Sequence, residues 1–414
     1  MSGAISESKE RGEDFFDPYG AQWDNPFPGL RQAQEFQPVF FSSQLDAWCV
    51  TRYDDIVAVL RDTESFSARE HNPRPVAELP PEVEAVLKSW RGQGVSMGSL
   101  DPPEHGRVRT AVNVGFTTRA LVSYAPRIRA VAAGMLQRLT TAPDFDLVDE
   151  FARPYALTAV LSVLGIPEEY HERCRTWSEQ RLDLLLRHDL DPGHAVQCAR
   201  GLREYGEFAT AITAERRARP QQDLISYLLH EAPSGHQLTA EEVAAQIPAL
   251  ITAGHETSAQ ALGSTVWQQL RSAGGWQEYV SGALTTDRLV EEGLRFDTAL
   301  FGMYRTTLRQ VTIADTVLAP GSRLLLLYGA GNHDASRYAE PDRFLPGRTS
   351  AAPHLAFGRG IHYCIGAPLA RMALGIALEE LALHIPGLAL VPGTRPRYRR
   401  NFPLRAVGGL RVRP

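Results

Sequence analysis

The chain has 414 residues, of which 43% are hydrophobic and 22% charged, with a formal net charge of −5. This composition is ordinary for a folded globular protein with a large core, and it excludes a disordered chain. Because there is no global excess of positive charge, the composition gives no sign of a nucleic-acid partner.

The N-terminal residues 1–20 are polar and predict an irregular segment without the apolar region of a signal peptide. No stretch of the chain approaches 18 uninterrupted apolar residues, so we expect no attachment to a membrane. The four cysteines lie far apart without C-x-x-C spacing, which argues against structural zinc and against a disulfide framework. Together these features predict a cytoplasmic protein.

The secondary-structure elements predicted at the beginning of the chain are short. Residues 38–42 and 47–51 form a predicted β-hairpin around a polar turn. An amphipathic helix follows at Tyr53–Arg61. Residues 66–104 are rich in proline and glycine, with one predicted helix at 81–90, and a loop of this length in a compact domain is usually functional or disordered.

Helical periodicity dominates residues 105–273, in several helices separated at Pro154, Pro167, Pro192 and Pro220. The longest begins with a capping box between Thr239 and Glu242 and continues to about residue 271. Pro248 lies in its interior and is expected to kink it, because proline removes a backbone hydrogen bond.

The last third of the chain combines a helix at Thr286–Phe296 with strand-like segments at 311–313, 323–328 and 388–414. A basic run at 395–400 is typical of a charged loop between strands rather than a patch for nucleic acid or a membrane. The predicted fold is mainly α with a small β region, and without linkers or repeats we expect a single domain over residues 1–414.

One cysteine in a glycine-rich loop is the strongest chemical signal in the chain. The loop precedes an apolar stretch predicted as a helix and contains, at regular spacing, Phe357, Gly358, Gly360, His362, Cys364 and Gly366. A helix N-terminus stabilises a thiolate, and glycines let the backbone approach a flat partner closely. This setting suits a thiolate that binds a soft metal, although an inert buried cysteine is the usual alternative.

The pattern Phe-Gly-x-Gly-x-His-x-Cys-x-Gly resembles the haem-binding loop of cytochrome P-450 enzymes. The resemblance implies that Cys364 is the axial ligand of the iron of haem b, and that Phe357, Gly358 and Gly366 surround the cofactor. It also implies the cytochrome P-450 fold, with a long oxygen-binding helix over the haem.

A second motif lies inside the longest predicted helix. Ala253-Gly254-His255-Glu256-Thr257 interrupts an apolar stretch with groups that cost stability in a buried helix. It resembles the Ala-Gly-x-(Asp/Glu)-Thr signature of the oxygen-binding helix in the same family. The resemblance implies that Ala253 and Gly254 adjoin the cofactor and that Glu256 and Thr257 are catalytic, relaying protons. The plain alternative is a helix-bending threonine beside a solvent-facing glutamate.

Haem propionates require cations or hydrogen-bond donors. Four residues match the propionate positions of the family: His105, Arg109, Arg305 and His362. Glu292 and Arg295 resemble the Glu-x-x-Arg pair that is structural in the family, although an isolated pair at this spacing is usually a solvated surface contact.

Matched by position, the substrate pocket draws on Leu250, Ala253, Leu300, Phe301 and Phe402. Because these residues are apolar, we expect a hydrophobic small-molecule substrate.

The resemblance implies a bacterial-type haem-thiolate monooxygenase that inserts one atom of O2 by hydroxylation, epoxidation or oxidative dealkylation. No Walker, Rossmann or flavin-binding glycine motif occurs. Electrons from NAD(P)H are therefore expected through a separate ferredoxin or flavodoxin with its reductase, and we expect a monomer. The alternatives are a non-oxygenating haem-thiolate ligand-binding or sensor protein and a peroxide-driven relative, neither of which requires the relay of Glu256 and Thr257.

Overall fold

The computed structural model describes residues 15–73, 79–92, 95–187, 189–348 and 353–414. Most of the predicted irregular N-terminal segment, residues 1–14, therefore lies outside the described residues. The chain divides into two compact units, each assembled from separate stretches. The first unit comprises Met1–Pro73, Ser264–Cys364 and Arg395–Gly408, and the second comprises Arg74–Gly263, Ile365–Thr394 and Gly409–Pro414. The single domain over 1–414 remains a prediction.

Helices account for most of the regular structure, as the sequence predicts. The α-helices are α1 (Phe27–Phe36), α2 (Tyr53–Arg61), α3 (Pro81–Gly92), α4 (Glu104–Val112), α5 (Thr118–Leu139), α6 (Arg153–Leu164), α7 (His171–Leu186), α8 (Pro192–Ala218), α9 (Leu224–His230), α10 (Ala240–Arg271), α11 (Gly275–Val280), α12 (Thr286–Phe296), α13 (Tyr328–Gly331) and α14 (Ala367–His384). The strands are β1 (Val39–Ser42), β2 (Ala47–Val50), β3 (Phe66–Ser67), β4 (Phe145–Asp146), β5 (Met303–Thr307), β6 (Val311–Ile313), β7 (Thr316–Leu318), β8 (Arg323–Leu326), β9 (Ala389–Leu390), β10 (Arg397–Tyr398), β11 (Val407–Gly408) and β12 (Arg411–Arg413).

A five-stranded sheet in the order β1-β2-β8-β5-β3 organises the first unit. The predicted hairpin is confirmed, because β1 pairs antiparallel with β2 and places Val39 opposite Val50. Strand β8 runs parallel to β2 and antiparallel to β5. All four residues of β8 are buried, as expected for a central strand that is covered on both faces.

An aromatic cluster fills the core beside this sheet. Phe16 and Phe301 stack with ring centroids 5.9 Å apart, and Trp23 meets Phe402 edge to face at 5.5 Å. All four rings are at most 1% exposed. Such pairs add specific ring contacts to the burial of large apolar surfaces, so this cluster fixes the N-terminal segment against the strands that follow α12.

The longest helix, α10, begins as predicted. The Thr239 hydroxyl accepts from the Glu242 amide at 3.2 Å, and the Glu242 carboxylate accepts from the Thr239 amide at 2.9 Å. This capping box satisfies two amides that the first turn would otherwise leave without partners. With 32 residues, α10 is about 48 Å long.

Pro248 lies inside α10, which continues from Ala240 to Arg271. Because proline lacks an N–H, it removes the helical hydrogen bond to the carbonyl four residues earlier. The guanidinium of Arg181 on α7 donates from Nη1 to a different group, the Pro248 carbonyl, at 3.0 Å. Arg181 therefore ties α7 to the proline of α10.

The second unit also contains a small sheet in the order β4-β12-β9. Among the described residues, no helix is both long enough and apolar enough to cross a membrane.

Candidate haem-thiolate site

The cysteine loop of the first unit is closed by its own backbone. The Cys364 amide donates to the Phe357 carbonyl at 2.9 Å, and the Tyr363 amide donates to the Gly360 carbonyl at 3.1 Å. Gly360 has φ +70°, and a Cβ there would lie 2.1 Å from the Leu60 carbonyl oxygen. Only glycine fits at this position, because any side chain would clash with that backbone.

Exposure separates Cys364 from the other three cysteines. Its side chain is half-buried, whereas Cys49, Cys174 and Cys198 are fully buried. Burial raises the pKa of Cys174 and of Cys198 to about 12. Cys364 is thus the cysteine that a cofactor can reach.

Glu292 and Arg295 on α12 form a buried ion pair rather than the surface contact that their spacing alone suggests. Both Arg295 Nε and Nη2 donate to the Glu292 carboxylate at 2.8 Å, and the side chains are 2% and 5% exposed for arginine and glutamate. Glu292 also accepts from the Leu345 amide at 2.8 Å and lies 3.5 Å from Arg348. The pair is therefore bidentate and further hydrogen-bonded, as a buried pair must be.

The same ion pair connects to the cysteine loop through Asn332. Arg295 Nη1 donates to the Asn332 carbonyl at 2.7 Å. The Asn332 side-chain oxygen accepts from the Leu355 amide at 2.6 Å, and the Leu355 carbonyl accepts from the Gly358 amide at 2.8 Å. This chain of hydrogen bonds gives the pair a role in positioning the loop.

Arg305 supplies a buried cation in the first unit. It lies on β5, is 6% exposed, and donates from Nη1 to the Tyr304 carbonyl at 2.7 Å. Burial raises the pKa of the Tyr328 phenol, and the charge of Arg305 partly offsets this rise, so the two groups lie close together. A Cβ on Gly358 would lie 3.7 Å from the Tyr328 hydroxyl, which brings Tyr328 beside the cysteine loop. His362, in the same loop, is half-buried.

On α10 in the second unit, the predicted oxygen-binding motif has one exposed face. Ala253 is exposed and Gly254 and Thr257 are half-buried, whereas His255 and Glu256 are buried. The Thr257 hydroxyl donates to the Ala253 carbonyl at 2.6 Å. A Cβ on Gly254 would lie 3.1 Å from Val160 of α6, so glycine also permits close packing of these two helices.

Glu256 is held as a carboxylate on the buried side of α10. Its Oε1 accepts from Arg153 Nη2 at 2.8 Å and from Gln260 Nε2 at 2.7 Å. Burial opposes ionisation, but the charge of Arg153 and the hydrogen bonds from Gln260 and Arg153 outweigh it and place the pKa of Glu256 below its usual value. Arg153 was not identified as a partner from the sequence. The signal that could have pointed to it is that it is the one charged residue of α6.

His255 is buried as a neutral imidazole. Neither ring nitrogen has a hydrogen-bond partner among the described residues, and burial lowers the pKa to about 4. In the unfolded chain the pKa is about 6.5, so the unfolded state binds the proton first as the pH falls.

We therefore expect the free energy of unfolding to drop by about 3 kcal/mol between about pH 6.5 and pH 4 because of His255 alone. His255→Leu should remove this part of the pH dependence, since leucine cannot take up a proton. Denaturant unfolding of both proteins across this range measures it. Equal slopes for the variant and the wild type would contradict the assignment.

The remaining predicted residues divide between the units. His105, which is buried, and Arg109, which is half-buried, lie one turn apart on α4 of the second unit. Gly366, in the second unit, directly precedes α14. Phe357, Gly358, His362, Cys364 and Arg305 are all in the first unit.

Two of the predicted substrate-pocket residues are core residues instead. Phe301 and Phe402 are 0% and 1% exposed, because Phe16 and Trp23 pack against both rings. Rings enclosed in this way present no surface to a ligand, so their packing does not support a role in the pocket. Leu250 and Leu300 are half-buried and Ala253 is exposed, which leaves these three side chains accessible.

The residues present fit a haem. The first unit contributes an accessible thiol in a loop where glycine is obligatory. Among the described residues, no carboxylate pairs with the buried Arg305. A buried cation without a carboxylate is costly, and a propionate would neutralise it.

Comparison with known proteins gives the same family. The family model named Cytochrome P450 matches residues 284–384. The erythromycin C-12 hydroxylase of Saccharopolyspora erythraea is 34% identical over 85% of each chain, and the cyclomarin C epoxidase CymV of Salinispora arenicola is 31% identical over 85% of this chain and 87% of its own. The solved structure of cytochrome P450 CREJ with (4-ethylphenyl) dihydrogen phosphate is 27% identical, with a TM-score of 0.90 over 97% of this chain and 100% of that one.

The relatives are thus a hydroxylase and an epoxidase that align over most of their length, and the structural likeness confirms the predicted fold. The chain belongs to the cytochrome P450 family and is a haem-thiolate monooxygenase.

Proposed function

We propose that this monooxygenase binds haem b through Cys364 and transfers one oxygen atom from O2 to a hydrophobic small molecule. Electrons from NAD(P)H would arrive through a separate ferredoxin or flavodoxin and its reductase. The observation that carries the proposal is the arrangement on α10, where the half-buried Thr257 donates its hydroxyl hydrogen to the carbonyl of the exposed Ala253 and the neighbouring Glu256 is buried and ionised. When bound, the haem supplies oxygen activation, and a thiolate ligand favours O–O cleavage.

The residues proposed to hold the haem are those that the resemblance to the family implies. Cys364 would ligate the iron, and Phe357, Gly358 and Gly366 would surround the cofactor beside it. Arg305 and His362 would bind one or both propionates, together with His105 and Arg109 of α4. The burial of Arg305 among described residues without a carboxylate partner supports this part of the proposal.

Thr257 is proposed to hold and move a proton at Oγ1. Its hydroxyl hydrogen is donated to the Ala253 carbonyl, while the lone pairs of Oγ1 can still accept from water. Rotation about the Cα–Cβ bond would release the hydrogen toward a molecule beside Ala253. A threonine at this position can therefore donate and accept at once, which suits proton transfer.

Glu256 is proposed to act through its charge and its partners. Arg153 and Gln260 both donate to Oε1, and the charge of Arg153 favours the ionised carboxylate. The buried negative charge of Glu256 stabilises the positive charge of Arg153 beside it. This role differs from that of a free, solvent-facing acid.

The accessible side chains of Leu250, Ala253 and Leu300 support an apolar substrate. The names of the relatives describe hydroxylation of erythromycin and epoxidation of cyclomarin C. We propose one of these reactions, or oxidative dealkylation, for this chain. Relatives that oxygenate their substrates do not favour the non-oxygenating or sensor alternatives.

Thr257→Ala is expected to retain haem, substrate binding and NAD(P)H consumption while the product formed per NAD(P)H falls about tenfold or more. The reducing equivalents should appear as hydrogen peroxide, because the proton needed for productive cleavage is no longer held in place. A compound that shifts the haem spin state serves as substrate, and product and peroxide are measured together.

Thr257→Ser is the matched control, since it keeps the hydroxyl and should retain most of the coupling between NAD(P)H and product. If Thr257→Ala forms as much product per NAD(P)H as the wild type, Thr257 is not the proton-transfer group. If neither the wild type nor the serine variant forms product from any bound compound, the oxygenating function itself is contradicted.

A further inference from the structure

Three side chains of different chemistry converge between α7 and α8 in the second unit. His194 Nε2 lies 2.8 Å from Asp183 Oδ2 and 3.4 Å from Cys198 Sγ. The three ligand atoms all lie within 4.8 Å of one another. Asp183 comes from α7, whereas His194 and Cys198 are at i,i+4 on α8 and therefore share one helix face.

The geometry is unsuited to nucleophilic catalysis. In a cysteine–histidine–aspartate triad, the two ring nitrogens of the histidine contact different partners, so that one accepts from the thiol while the other donates to the carboxylate. Here a single nitrogen, Nε2, faces both the carboxylate and the sulfur. One ring nitrogen cannot donate and accept at the same time, so no proton relay can form.

A metal site requires one ligand atom from each residue around a common point, and these three side chains offer a sulfur, a nitrogen and a carboxylate oxygen within 4.8 Å of one another. Zinc binds cysteine sulfur at about 2.3 Å and histidine nitrogen at about 2.0–2.1 Å, so tetrahedral geometry places sulfur and nitrogen about 3.6 Å apart. The observed sulfur–nitrogen separation of 3.4 Å is close to this value, whereas the 2.8 Å between His194 Nε2 and Asp183 Oδ2 is a hydrogen-bond distance that would lengthen when a metal binds. One sulfur, one nitrogen and one carboxylate oxygen form a set typical of Zn²⁺, rather than the all-oxygen set of Mg²⁺ or Ca²⁺.

The surroundings allow a metal ion to enter and a fourth ligand to bind. Cys198 is fully buried, but the side chains of His194 and Asp183 are 32% and 27% exposed. Water can therefore occupy the solvent side. Arg187 Nη1 lies 3.9 Å from Asp183 Oδ2, and since Arg187 is 34% exposed it can move into solvent when a cation binds.

The helix start that carries His194 is fixed. Asp191 caps α8 and accepts from the His194 amide at 3.0 Å. This contact defines the first turn of α8 and hence the backbone position of His194 within that helix.

We propose that Asp183, His194 and Cys198 bind a Zn²⁺ ion that cross-links α7 and α8, with water as the fourth ligand. Because the ligands come from two helices, the site has no C-x-x-C motif by which it could be recognised in the sequence. This site does not depend on the proposed oxygenation chemistry.

Equilibrium dialysis of the purified holoenzyme against Zn²⁺, with metal analysis, tests the site directly. Wild type should bind one Zn²⁺ per chain, beyond any weak surface binding. His194→Gln and Cys198→Ser should each weaken that binding at least about tenfold, whereas His236→Gln, a half-buried histidine outside the cluster, should leave it unchanged. The haem content of each variant reports on folding.

Thermal unfolding gives a second measurement. Because Zn²⁺ would bind the folded state, it should raise the Tm of wild type and of His236→Gln but not of His194→Gln. Stoichiometric binding that persists in both ligand variants, or no saturable one-to-one binding to wild type, would overturn the proposal. An equal Tm increase in His194→Gln and wild type would overturn it as well.

Discussion

Arg295→Leu should lower the free energy of unfolding by about 3–5 kcal/mol and cause the purified protein to lose haem. The substitution leaves the carboxylate of Glu292, which is 5% exposed, without its bidentate partner. It also removes the donor to the Asn332 carbonyl, and Asn332 in turn holds the Leu355 amide at the start of the cysteine loop. The variant should therefore lose both folding stability and the correct placement of the Cys364 thiolate.

The chain offers a matched control for this prediction. Glu340 and Arg343 form an ion pair at the same i,i+3 spacing, but their side chains are 57% and 64% exposed. Arg343→Leu should cost no more than about 1 kcal/mol, because solvent screens an exposed pair. Denaturant unfolding and haem content of both variants measure the difference. If both variants lose the same free energy of unfolding and the same amount of haem, burial of the Glu292–Arg295 pair does not account for its contribution.

Features encoded in a short stretch of sequence could be predicted. The capping box of α10 involves residues three apart, and both of its hydrogen bonds form. The hairpin of β1 and β2 is equally local and has the expected pairing. Glycine in the cysteine loop followed from the need for a tight turn, which the positive φ at Gly358 and Gly360 bears out.

Features that depend on distant partners could not be predicted. Glu256 pairs with Arg153, 103 residues earlier, so its charge state was not visible in the motif around it. Phe301 and Phe402 lie in apolar stretches compatible with a pocket, but Phe16 and Trp23 from the N-terminal segment enclose them. The spacing of Glu292 and Arg295 alone suggests a surface contact, and it was the resemblance to the family that implied a structural pair; the carbonyls and amides that surround the pair lie far along the chain.

Cys364→Ser is expected to abolish oxygenation, because a serine hydroxyl is neither a soft ligand nor ionised at neutral pH. The variant should fold, since Cys364 is half-buried and backbone hydrogen bonds close the loop. Cys174→Ser is the matched control. It makes the same change at a buried thiol on α7 and should leave the haem spectrum unchanged, whatever its effect on stability.

The absorption spectrum of the ferrous–CO complex is the measurement that tests the central claim most directly. Wild type and Cys174→Ser should show the strongly red-shifted Soret band of a thiolate-ligated haem. Cys364→His should move that band to the position typical of an imidazole ligand, and Cys364→Ser should lose the red-shifted band altogether. If Cys364→Ser retains the wild-type spectrum, Cys364 is not the axial ligand and this account of the site is wrong.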